Sequence, residues 1–163
     1  MYNDPIIKKY FDLIKAKVPT IKAYYQGDPI RIPKSSLPAV IISKAQTNVS
    51  ALTNSEDDHR IGLILTVVTD VRDERSDDQN IVPGIAQLYD IIEGRDDTTY
   101  LLKATSILNI LRTNQIVDVA YNLRTDLGSI TRCDYGMTLG KRSPEGYAIE
   151  GQVEFLATYS QIR

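Results

Sequence analysis

With 163 residues, 42% of them hydrophobic and 25% charged, the chain has the size and make-up of one globular domain with a real core. Nineteen basic against 21 acidic residues leave a net charge of -2, which argues against a dedicated nucleic-acid binder. A single cysteine, Cys133, excludes an internal disulfide and a cysteine-based zinc site, and no apolar run approaches the ~18 residues of a membrane span.

Asn3-Asp4-Pro5 is a helix start, a capping side chain followed by proline at the first helical position. Ile6, Ile7, Tyr10, Phe11, Leu13, Ile14 and Val18 then recur at helical spacing until Pro19 ends the helix. Gly27-Asp28-Pro29 marks a turn between two short extended pieces in 21–33. Leu37–Thr47 reads as a strand, and the polar stretch Asn48–His59 as a hairpin loop leading to an antiparallel neighbour. That neighbour, Arg60–Glu74, is rich in β-branched residues. Ile61, Leu63, Leu65, Val67 and Val71 point to one side, while Ile64, Thr66 and Val68 keep the middle of the other side apolar. Each such side chain contributes about 1.5–3 kcal/mol when buried, so both faces need cover. A partner subunit or a second helix of the same chain would supply it on the second face.

After the acidic run 73–80, Ile81, Val82, Ile85, Leu88, Tyr89 and Ile92 have helical period, ending near Glu93-Gly94-Arg95. Asp96, Asp97 and Thr98 are placed to cap a third helix carrying Leu101, Ala104, Ile107, Leu108 and Leu111 to Asn114. Period two returns in Ile116–Leu123 and Gly128–Tyr135, with a turn over 124–127 and a glycine-rich loop over 136–146. From Tyr147 to Tyr159 apolar residues alternate with a mostly solvated face. With no regular βαβ alternation, the expectation is one α+β domain spanning 1–163. Its sheet is largely antiparallel or mixed, with the N-terminal helix and a central helix pair packed on it.

Chemistry is scarce. His59, the only histidine, sits among Glu56, Asp57 and Asp58, adjacent residues that do not converge on an ion as a metal site requires. No nucleophile-elbow sequence occurs. The segment from Gly136 to Lys141 is one residue short of a phosphate-binding loop and lacks the following Ser or Thr. Asp70, Asp73, Glu74, Asp77 and Asp78 have the composition of a magnesium site, but Arg72 and Arg75 interleave them and favour ion pairing. Cys133 reads as a buried small hydrophobe. With no signal-peptide pattern at the start, folding in a cytosol is expected.

The order of elements carries a resemblance. An amphipathic helix precedes a Leu-Pro-Ala-Val-Ile-Ile strand (37–42), and a polar loop leads to a long strand ending Asp-Val-Arg-Asp-Glu (70–74). A helical segment and a glycine-containing hairpin closed by Tyr147–Tyr159 follow. This arrangement resembles the tail-terminator family of tailed bacteriophages, small ring-forming proteins at the head-proximal end of the tail tube. The resemblance implies a structural virion protein with no catalytic residues and no cofactor, assembled in the host cytoplasm into a hexameric ring. Its partners would be further copies, the tail-tube protein and the head connector or neck protein, with genomic DNA passing through unbound and no membrane. Ring formation needs two complementary patches on each copy. The candidates are Ile64, Thr66 and Val68 against a sheet edge or helix of the next copy, with Asp70, Arg72, Asp73 and Arg75 setting register. Glu56, Asp57, Asp58, Asp77 and Asp78 are candidates to line the lumen. A head–tail joining or neck protein stays open within the same class. From another class, a small metal-dependent nuclease or phosphotransferase would use Asp70, Asp73 and Glu74.

Overall fold

A computed structural model describes residues 3–70, 83–138 and 148–162. Helix α1 (Pro5–Lys17) starts where the sequence places it: the Asp4 carboxylate accepts from the N–H groups of Ile6 at 2.9 Å and Ile7 at 3.2 Å. The strands are β1 (Ala23–Gln26), β2 (Ala39–Thr53), β3 (Glu56–Asp70), β4 (Ile116–Asp118), β5 (Leu123–Asp126), β6 (Cys133–Thr138) and β7 (Ala148–Ile162). Helices α2 (Pro83–Glu93) and α3 (Ile107–Thr113) lie between β3 and β4. The fold is α+β.

One mixed sheet runs in the order β1-β2-β3-β7-β5-β4, with β6 also on β7. Only the β1–β2 pair is parallel among the described strands. Strands β5 and β6 are two lengths of one margin: Arg124–Asp126 lie opposite Leu156–Thr158, and Cys133–Thr138 opposite Ala148–Val153. A single 3-10 turn, Leu127–Ser129, interrupts them. The Ser129 hydroxyl bridges the end of β5 to β7: it accepts from the Leu156 N–H at 2.8 Å and donates to the Asp126 carbonyl at 2.5 Å.

The main core forms between the helices and one face of the sheet. Ile61, Leu63, Leu65 and Val67 of β3 pack there with Tyr10, Ile14, Leu88, Ile92, Ile110 and Phe155. Helix α2 lies so close to β7 that a Cβ on Gly151 would stand 2.2 Å from Ile92 Cδ1 and 3.0 Å from the Tyr135 ring. Glycine is required by that approach, not by a turn.

Five readings of the sequence change. The long strand is Glu56–Asp70, not Arg60–Glu74, and residues 71–74 lie outside the described residues. The polar stretch 48–59 is not a loop: β2 continues to Thr53, leaving only Asn54 and Ser55 as the connection. Flanking strands β2 and β7 satisfy the β3 backbone there, so its residues need no apolar face to stay extended. On the second face, Val68 is covered from within the chain, by the segment between β1 and β2. That segment places Ile32 and Leu37 with Ala39, Ile41, Val68 and Ala148 in a smaller cluster. The third helix changes too: α3 begins at Ile107 under a Ser106 cap. Asp96 caps only a turn, accepting from the N–H groups of Thr98 and Thr99, and an Arg95–Leu102 bridge follows, so Leu101 is exposed. The two strands expected over 116–135 are likewise shorter and shifted: β4 stops at Asp118, β5 occupies most of the expected 124–127 turn, and the Leu127–Ser129 turn falls where the second strand was to start.

Candidate assembly surface

Strands β2, β3 and β7 are each 15 residues long and outrun the core. From Lys44 to Thr53 every residue of β2 is exposed, while Glu56–His59 are half-buried and Gln161 and Ile162 exposed. Together they form a three-stranded arm. On its helix-side face Val49 lies opposite His59, and His59 opposite Tyr159, with the two rings stacked at 4.5 Å and 14°. Its charges are concentrated in the middle strand, where Asp58 pairs with Arg60 at 3.5 Å.

The arm is fixed at its root. Lys44 forms an ion pair with Asp4, the residue that caps α1, and the Asp4 N–H donates to the Gln26 side chain at 2.8 Å. Burial pushes the Asp4 carboxyl up. Lys44 and the Ile7 and Ile6 N–H groups together outweigh that and hold it below its ordinary value of 3.8.

Beneath the end of the arm lies an open, mainly apolar groove of about 600 Å3, lined by Ile6, Lys9, Tyr121, Leu123, Tyr159 and Ile162. Lys9 is held by Asp118 at 2.5 Å, and that hydrogen bond, followed by one from the Tyr121 N–H, lowers the Asp118 carboxyl below its usual range. Tyr121, 65% exposed, and Ile162, 80% exposed, present apolar surface to solvent here. Neither residue stood out in the sequence. Their signal was faint: Tyr121 lies in a short turn, 119–122, and Ile162 is the last residue of a strand.

The residues expected to form an interface divide. Ile64 is half-buried beside a shallow outer-face depression of about 230 Å3 that Gly62, Glu154 and Leu156 also line. Thr66 and Val68, 4% and 0% exposed, are spent inside the protomer and have no surface left to offer another copy. Asp70 ends β3, half-buried opposite Ala148. Arg72, Asp73, Arg75, Asp77 and Asp78 lie outside the described residues, as does Glu74. Of the expected lumen residues, Glu56, Asp57 and Asp58 belong to the arm's central strand rather than to a loop. The face of β7 read as mostly solvated is exposed only at Glu154: Ala148 and Glu150, 0% and 6% exposed, are buried, Glu150 opposite Val68, and the rest are half-buried.

Among the described residues, no three His, Cys, Asp or Glu side chains converge as a metal site would require. Burial, helped by the Glu93 and Asp134 carboxylates, pushes the Cys133 thiol up to about 11, so it stays protonated near neutral pH. No helix among the described residues is long and apolar enough to cross a membrane. No protein-family model matches the chain, and a search of curated proteins gives no match.

Proposed function

We propose that this chain is a structural subunit of a phage tail or neck, forming a hexameric ring that caps the tail tube and joins it to the head. The observation that carries the reading is the arm: a strand exposed from Lys44 to Thr53 and held out from the core by β3, which β7 flanks on its other side. A lone globule gains little by ordering such a strand, since side chains left in water contribute little burial energy against the backbone entropy lost. A subunit that engages neighbours gains that burial on assembly. The groove under the arm, with Tyr121 and Ile162 exposed, adds apolar surface suited to the same use. The order of elements, with its likeness to tail terminators, supplies the setting, and a head–tail joining role fits the same features.

Sedimentation and native mass measurement test it. The expected result is a closed oligomer of the 18.3 kDa chain, forming alone or on the ends of purified tail tubes. A single subunit at every concentration, with no binding to tube ends, would sink the reading. Magnesium-dependent cleavage of DNA or a phosphoester that Asp70→Ala abolishes would replace it with the metal-dependent enzyme.

A further inference from the structure

The outer margin of β2 is unusual in its charge. Beyond Ile42, where β1 ends, no described strand pairs with it. Exposed strand edges are ordinarily guarded by charges, lysine above all, or by proline. Ala45–Leu52, Ala-Gln-Thr-Asn-Val-Ser-Ala-Leu, contains neither. The charges sit one strand inward, in Glu56–Arg60, where they cannot guard the margin. Register shifts at Ala45 and Leu52 bound the stretch, and between them Gln46–Ala51 keep an unbroken register with β3. An edge meant to stay single would carry its charges outermost.

The opposite margin of the same sheet is open too. Strand β6 pairs β7 on one side and, among the described residues, no strand on the other. Its six residues match Gln46–Ala51 in length, and its one charge, Asp134, is already paired with Arg132 at 3.0 Å. Directions also agree. From β2 through β3 and β7 to β6 each step is antiparallel, so a neighbouring copy in the same orientation presents β6 antiparallel to β2. Two neutral margins meet no like-charge penalty, and two different margins make a head-to-tail joint that can close into a ring.

We propose that Gln46–Ala51 of one copy adds as an antiparallel strand to β6 of the next, continuing the sheet across the subunit joint. This rests on the ring reading and gives it a specific contact. The outward-facing groups follow from alternation. The Ile42 carbonyl points away from β3, accepting from the Gly27 N–H at 3.0 Å, and the shift at Ala45 then turns Thr47, Val49 and Ala51 outward. On the other margin Leu156 turns its N–H toward β5 and β6. Ala148 and Glu150 do the same, so Thr138 and Gly136 face β7 and Met137, between them, faces out.

Proline at an outward position removes a donor from the joint and none from the protomer's own ladder. Val49→Pro and Met137→Pro should each leave the circular dichroism spectrum unchanged yet reduce the oligomer to single subunits in sedimentation. Mixed together, the two variants should yield a dimer and nothing larger, since each retains one intact margin. Should a proline variant unfold, Val49→Lys makes the same test without touching the backbone. Oligomers undiminished in Val49→Pro or Val49→Lys would overturn the joint and leave the ring reading standing. Loss in Val49→Pro with none in Met137→Pro would overturn β6 as the partner. A wild-type chain that stays single, in solution and on tube ends alike, would remove the ring reading itself.

Discussion

The two halves of β3 obey opposite rules. From Ile61 to Thr69 the strand is wrapped on one face by the helices and, toward its end, on the other by the segment that carries Ile32 and Leu37. From Glu56 to Arg60 it is flanked only by strands and carries charge on nearly every residue. One half is held by buried side chains, the other mainly by its backbone ladder, with the His59–Tyr159 stack beside it. The contrast shows that a strand's length and its burial are set separately, and that pairing can carry an extended chain well past the limit of its core.

Truncation should expose that difference most sharply. Leu65→Ala, at a fully buried position, is expected to lower stability by about 2–5 kcal/mol in denaturant titration. A shortfall to the level of a surface substitution would mean the core is looser than its packing indicates. Next in size is Gly151→Ala. Its Cβ cannot stand 2.2 Å from Ile92 Cδ1, so the buried Ile92 side chain or α2 must shift, at a cost of about 1–3 kcal/mol that Ile92→Val should partly relieve in the double variant. Tyr10→Phe removes the 2.8 Å hydrogen bond to Thr125, a residue 1% exposed, and should cost about 1–2 kcal/mol. Burial already pushes the Tyr10 phenol up to about 12, so no titration of this group is expected in the neutral range.

Asp4 sharpens the comparison because it ties the core to the arm, capping α1 and pairing with Lys44 at the arm's root. Asp4→Ala should cost about 1 kcal/mol through the lost cap. Its folded carboxyl lies below the ordinary 3.8, so it binds a proton less readily folded than unfolded. The stabilisation is therefore full above that ordinary value and lost as pH falls through the folded one. Stability curves of wild type and Asp4→Asn should converge in that acid window, and a gap unchanged by pH would rule out the Lys44 pairing as its source. The smallest effect is expected in the arm: Ser50→Lys should change monomer stability by less than about 0.5 kcal/mol.

Legibility followed the same division. Helix α1, its Asp4 cap and the alternation of β7 were readable because local rules and burial agree there. The outer half of the hairpin was not, since an exposed strand such as Lys44–Thr53 shows no hydrophobic period and looks like a loop. Asp96 misled because a carboxylate that caps a turn has the same sequence signature as one that caps a helix. The cover over Val68 was illegible for another reason. Ile32 and Leu37 reach it from a proline-flanked link with no period of its own, so only tertiary folding brings them there. The apolar groove combines residues from α1, the turn after β4 and the end of β7, and no single stretch of sequence announces it.

The Asp4 carboxylate answers to α1 and to β2 at once, through the Ile6 and Ile7 N–H groups on one side and Lys44 on the other. Leverage applied at the far tip of the hairpin thus reaches the first turn of the helix through a single side chain. Bending the hairpin away stretches the Lys44 tether, and whatever stiffens the helix entrance stiffens the hairpin with it.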